Sequence, residues 1–131
     1  MTHVPGRGRG AILIALPLIL VFAACVPAAS LPATCHDPSV HFAATLADEH
    51  LQPATFGVCH GQEVTITFTI QHDGILHLHG YDDLLEAQEV RKGEKIDFTF
   101  EAAHAGQFPI ALHTLDAAAE ITVGTLTVNE P

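Results

Sequence analysis

The chain has 131 residues, with 15 acidic side chains against 5 basic ones and a net charge of −10. That length suits one domain. The charge makes nucleic acid and anionic lipid surfaces poor partners and favours cations or basic proteins.

The first residues read as an export signal rather than as part of a fold. Met1 to Gly10 carries Arg7 and Arg9 and no acid, and Ala11 to Ala24 is a run of 14 mostly apolar residues. As a helix that run spans only about 21 Å, too short for a comfortable membrane span. A basic start, a short apolar centre and small residues at the end describe a secretory signal over 1–24. Val21-Phe22-Ala23-Ala24-Cys25 resembles a bacterial lipobox, which makes Cys25 a candidate for lipidation and a membrane anchor. The alternative is ordinary cleavage near Ala28 or Ala29, releasing a soluble protein. Either way the destination is the periplasm or the cell envelope.

Beyond the signal, 107 residues remain, and their only basic side chains are Arg91, Lys92 and Lys95, giving a net charge of −12. Nine of the ten histidines lie here. Residues 25–38 are rich in proline and read as a tether, leaving 39–131 as the folded domain. Cys35 and Cys59 form an even pair once Cys25 is set aside. In an oxidising compartment a Cys35–Cys59 disulfide is the default, closing a loop of about 24 residues and stabilising by roughly 3 kcal/mol. Cys35-His36 and Cys59-His60 also offer the ligand types of a zinc site, although the spacing does not match a zinc finger.

From residue 39 the pattern is β throughout. Val40-His41-Phe42 is a first strand, Thr45 to Pro53 a connection, and Thr55 to Val58 a short strand. Val64 to Ile70 is the clearest element, with Val64, Ile66, Phe68 and Ile70 alternating with threonines. Asp73-Gly74 is a turn signal and suggests a hairpin into the next strand. That strand is Ile75-Leu76-His77-Leu78-His79. Asp83 to Val90 reads as a loop or irregular strand. Ile96, Phe98 and Phe100 alternate again. Phe108, Ile110 and Leu112 lead to His113, and Leu115 to Glu120 reads as a loop. Thr122 to Val128 closes the chain, with Val123, Thr125 and Thr127 on one face. Short strands at this spacing, broken by Gly-rich turns, indicate an all-β Greek-key sandwich of about seven or eight strands.

Gly61-Gln62-Glu63-Val64-Thr65-Ile66, Lys92-Gly93-Glu94-Lys95-Ile96, Ala105-Gly106-Gln107-Phe108 and Gly124-Thr125-Leu126-Thr127-Val128 together resemble the cupredoxin sandwich in their order and spacing. The resemblance covers roughly residues 39–129. Beside the copper domain of cytochrome oxidase subunit II, the first ligand histidine of that fold falls on His77. The His-x-His-Gly-Tyr-Asp run is similar to a subgroup of exported bacterial cupredoxin-like domains. The same resemblance implies a copper cysteine where Leu112 stands, and no cysteine follows Cys59. Nor does a methionine follow Met1. A blue-copper centre requires a thiolate and two imidazoles, so blue-copper electron transfer is not expected.

What the histidines offer is a different site. Side chains alternate along a strand, so His77 and His79 share a face. If Leu76 and Leu78 face inward, and Phe108, Ile110 and Leu112 likewise, His77, His79 and His113 all face outward; the opposite phase puts His77 inward, as in a blue-copper site, and strands His79 in the core. Three imidazoles on one face suit Cu(II) or Zn(II) at bonds of about 2.0 Å. The competing reading is three separate hydrogen-bonded histidines in a metal-free interaction or structural domain. Tyr81, Asp82 and Asp83 either orient an imidazole or form a solvated strand exit. No nucleophile elbow, phosphate loop or helical metalloprotease motif is present, so an enzyme is not expected. Copper is the expected cofactor, with zinc as the alternative. The expected partner is a metal ion or an envelope protein.

Overall fold

The computed structural model describes residues 34–116 and 118–130. The signal over 1–24, Cys25 and most of the tether lie outside these residues. Nine strands are present among the described residues: β1 (Ser39–Ala47), β2 (His50–Gln52), β3 (Thr55–Cys59), β4 (Glu63–Ile70), β5 (Gly74–Leu78), β6 (Gln88–Val90), β7 (Lys95–Glu101), β8 (Gly106–His113) and β9 (Glu120–Asn129). They form a four-stranded sheet, β2-β1-β4-β7, and a five-stranded sheet, β3-β9-β8-β5-β6. The all-β sandwich is as expected. The nine strands slightly exceed the expected seven or eight; the three-residue β2 and β6, which fall in the connection at 45–53 and in the irregular segment at 83–90, are too short to show an alternation. β1 also runs on past Phe42 to Ala47, into what reads as a connection.

β4 shows why the sandwich closes. Val64, Ile66, Phe68 and Ile70 are all buried, while the threonines between them stay half-exposed. Their partners are Phe42 and Ala44 on β1 and Ile96, Phe98 and Phe100 on β7. Across the interface the second sheet contributes Leu76, Leu78, Ile110, Leu112 and Leu126, each 1% exposed or less. Burial of such side chains contributes about 1.5–3 kcal/mol each. Polar outer faces and apolar inner faces thus meet in one core.

The expected hairpin at Asp73-Gly74 does not form. β4 pairs with β1 and β7, whereas β5 pairs with β6 and β8, so the chain crosses between sheets at this point. Gly74 serves close packing instead of a tight turn. A Cβ there would stand 2.6 Å from Leu112 Cδ1 and 2.7 Å from the His113 carbonyl oxygen. A true two-residue turn closes β1 and β2, where Asp48 and Glu49 both take positive φ, 48° and 60°, the conformation that matches strand twist.

The Cys35–Cys59 disulfide is formed, with the Cα atoms 5.4 Å apart. Both sulfurs are therefore committed, which excludes the Cys-His zinc reading at this place. Gln62 reinforces the junction. Its Oε1 accepts from the Cys59 amide at 2.7 Å, and its Nε2 donates to the carbonyls of Thr34 and Asp37. A buried amide with its groups satisfied in this way fixes the lead-in to the sandwich.

Candidate metal centre

β5 and β8 are antiparallel neighbours, with Leu76 opposite Leu112 and His77 opposite Ala111. Leu76 and Leu112 point inward, so His77 and His113 emerge on the outer face as diagonal neighbours. Ala111 is the small residue between them and is fully buried. His79 follows the end of β5, and its amide continues the ladder by donating to the Pro109 carbonyl at 3.0 Å. The three imidazoles expected to share a face do meet. The ring centroids of His77 and His79 are 4.3 Å apart, and those of His77 and His113 are 4.9 Å apart.

The fourth member of the cluster is Glu120, at the start of β9. His79 Nε2 donates to Glu120 Oε1 at 2.8 Å. Glu120 Oε2 lies 3.0 Å from His113 Nε2 and 3.6 Å from His77 Nε2. The two histidine Nε2 atoms are themselves 3.0 Å apart. One ligand atom each from His77, His113 and Glu120 therefore falls within 4.8 Å of the others.

Glu120 reaches this face because of a bulge. β8 and β9 pair Ile110 with Gly124 but Ala111 with Thr122, leaving Val123 as the extra residue. Gly124, Leu126 and Val128 face the core on one side of the break, and Ile121 faces it on the other. Val123 is buried as well, so it does not share the outer face with Thr125 and Thr127 as the alternation suggests. Counted back from Val128 without a break, Glu120 would point inward. The bulge reverses the phase and turns its carboxylate toward His113, as bulges beside sites commonly do.

The contacts of His113 are hard to satisfy by hydrogen bonds alone. Its Nε2 has two close partners, His77 Nε2 and Glu120 Oε2, but only one hydrogen position. A proton directed to Glu120 leaves the His77 contact without one along it. A proton on His77 directed to His113 sets the His113 lone pair against the carboxylate. A cation among the three atoms removes the conflict. Metal–ligand bonds of about 2.0–2.2 Å at angles of about 90–110° set neighbouring donors about 2.8–3.6 Å apart, and the observed edges of 3.0, 3.0 and 3.6 Å fall within that range. The residues present thus fit a divalent transition ion.

Electrostatics agree with this. The hydrogen bond from His79 holds the Glu120 carboxyl below its ordinary value, against a smaller opposing effect of desolvation. The carboxylate is therefore ready as a negative donor. Asp82 Oδ1 stands 3.7 Å from His77 Nδ1, behind the ring. Tyr81 does not belong to the site, nor to a solvated exit. It is fully buried against Phe100 and Phe108, and its hydroxyl donates to the His104 carbonyl at 3.0 Å. Asp83 is exposed, as a solvated exit requires. His41, His50 and His104 are exposed and His72 is half-exposed, none of them in the cluster.

The chain matches no protein-family model and no curated protein sequence. Solved structures do resemble it. A blue copper oxidase from Nitrosomonas europaea superposes with a TM-score of 0.56 at 15% identity, over 70% of this chain and 39% of the oxidase. The chain thus spans well under half of that protein. A copper binding protein solved by NMR in its apo form gives a TM-score of 0.56 at 12% identity, over 76% of this chain and 96% of its own length. Auracyanin A, a "blue" copper protein from Chloroflexus aurantiacus, gives 0.52 at 20% identity, over 70% of this chain and 99% of its own. At such identities the likeness is one of fold, and together with the two-sheet topology it establishes that this chain has a cupredoxin-like fold.

Proposed function

We propose that the chain is an exported, cupredoxin-like copper-binding module of the cell envelope, held at the membrane through Cys25 where that residue is lipidated. His77, His113 and Glu120 supply the first ligands. His79 bonds the far oxygen of Glu120 and so holds that carboxylate in place, while the group of mutually close donors does not include it. The observation that carries this reading is the convergence of two imidazole nitrogens and a carboxylate oxygen with the edge lengths of a coordination shell. The donor set fits Zn(II) as well as Cu(II). Preference for copper rests on the higher affinity of Cu(II) for nitrogen and oxygen donors and on the copper proteins among its structural neighbours.

This is a binding role and not blue-copper electron transfer. With imidazole and carboxylate donors and no thiolate, the bound Cu(II) is pale, lacking the intense band near about 600 nm that a copper thiolate gives. A Cu(II) titration followed by absorbance and electron paramagnetic resonance tests the reading. One tight site of submicromolar affinity is expected, lost in His77→Ala. Absence of such a site, or one indifferent to His77→Ala, overturns it in favour of a metal-free interaction domain. In that case chelator treatment leaves the thermal midpoint unchanged.

A further inference from the structure

β7 closes one edge of the four-stranded sheet, with β4 on its inner side and no strand among the described residues on its outer side. It is seven residues long, against five for β3 and three each for β2 and β6 at the other sheet edges. The ladder to β4 uses every second residue. The Ile70 amide donates to the Glu94 carbonyl at 2.9 Å, and the Ala102 amide donates to the Gln62 carbonyl at 2.8 Å. In an antiparallel pair the residues between such positions direct their main-chain groups the other way. Lys95, Asp97 and Thr99 therefore present N–H and C=O groups along the free edge, which is a template for a further strand.

Charged side chains commonly keep such edges apart, and β7 carries three on its exposed face, Lys95, Asp97 and Glu101. Their order is self-complementary. When two copies of β7 meet antiparallel about a twofold axis at Phe98, Lys95 of each stands opposite Glu101 of the other, and Asp97 stands opposite Thr99. The adjacent registers fail. An axis at Asp97 sets that carboxylate against itself, and an axis at Thr99 sets Asp97 against Glu101, like charges directly opposite. The fold already makes a threonine–aspartate contact of the required kind, since Thr67 donates to Asp97 Oδ1 at 2.6 Å. On the inner face the same register brings Ile96, left half-exposed in the single copy, opposite Phe100.

We propose that β7 pairs antiparallel with β7 of a second copy of this chain, joining the two four-stranded sheets into one continuous sheet. The histidine cluster belongs to the other sheet, so the pairing does not depend on a bound ion. One shared strand edge is a small interface, and the net negative charge of each copy opposes their approach. The dimer is therefore weak and reversible, half-associated somewhere between about 10 µM and 1 mM.

Sedimentation equilibrium of the exported protein across that range tests the proposal. Lys95→Glu and Glu101→Lys move the net charge in opposite directions, yet each is expected to weaken association at least about tenfold. The double exchange is expected to restore it. Thr99→Pro removes an outward N–H without touching the ladder to β4, and is expected to leave a monomer throughout. Thermal melts check that each variant folds, and the exposed Lys95→Glu carries the test should the proline variant not fold. A protein that stays monomeric at about 1 mM overturns the proposal. So does a dimer indifferent to Lys95→Glu, or a double exchange no better than the single ones. Association strengthened by Glu101→Lys also overturns it, because net charge and not register then governs the contact.

Discussion

Glu120 stands directly opposite His113 across β8 and β9, with its Oε2 3.0 Å from the imidazole Nε2. That pairing exists because Val123 bulges out of the ladder and reverses the phase of the strand before it. It adds a negative donor to a face that otherwise offers imidazole alone.

The first prediction concerns this carboxylate. Glu120→Gln keeps an oxygen acceptor for His79 but removes the charge. Cu(II) affinity is expected to fall at least about tenfold, a larger loss than for a residue that acts only through a ligand. Glu120 is exposed, so the stability of the ion-free protein is expected to change by less than about 1 kcal/mol. Competition titration with a chelator of known affinity, alongside a thermal melt, measures both. Equal affinity in the two proteins removes Glu120 from the ligand set.

The same bulge explains what was legible in the chain beforehand. β4 announces itself because both of its faces obey strict alternation, apolar toward the core and threonine toward solvent. His77, His79 and His113 could be assigned to one face because no break interrupts β5 or the end of β8. Glu120 could not, since its phase depends on the extra residue Val123 further along β9, for which the one mark in the chain is Gly124 beside it, a glycine inside a strand pattern. Asp73-Gly74 misled in the opposite direction. The dipeptide is a common hairpin turn, yet here the glycine answers to Leu112 and the His113 carbonyl packed against it. Tyr81 misled by its neighbours, because two aspartates beside it suggest solvent while its ring fills the core.

The disulfide gives a second prediction. Cys35–Cys59 closes a loop with a sequence separation of 24 residues, and it holds the segment on which Gln62 makes its two carbonyl contacts. Replacing both cysteines by serine is expected to lower stability by roughly 3 kcal/mol. Denaturant unfolding of the two proteins under identical conditions measures the difference. A loss under about 1 kcal/mol contradicts the role given to the bridge.

A third prediction follows from Tyr81. Burial raises the pKa of its phenol above the ordinary 10.0, while the backbone hydrogen bond with His104 opposes the shift less strongly. The folded state therefore prefers the neutral phenol. That contribution is fully present below the unfolded value of about 10 and is lost as pH rises through the folded value. Stability is expected to fall more steeply above pH of about 10 in the native protein than in Tyr81→Phe. The substitution itself is expected to cost about 1 kcal/mol at neutral pH, where the hydroxyl bond is lost. Parallel alkaline slopes for the two proteins would show that another group governs the decline.

The last prediction tests whether His77 is oriented from behind. Its Nε2 faces His113 and Glu120, while its Nδ1 faces Asp82 Oδ1 at 3.7 Å. A carboxylate on that side favours the tautomer with the proton on Nδ1, which leaves the Nε2 lone pair free for an ion. The distance exceeds that of a direct hydrogen bond, so the carboxylate acts on the ring through its charge. Asp82 is also largely exposed, so the effect belongs at the weak end of the range for groups that position a ligand. Asp82→Asn is expected to reduce Cu(II) affinity by about tenfold or less. It should also alter the nitrogen couplings of the copper resonance spectrum, a change that general destabilisation does not produce. Asp82→Glu is expected to restore part of the affinity. If Asn and Glu behave alike, or if Asn changes neither affinity nor spectrum, Asp82 is a solvated surface residue and His77 is held by packing against Ala111 and its ring contacts with His79 and His113 alone.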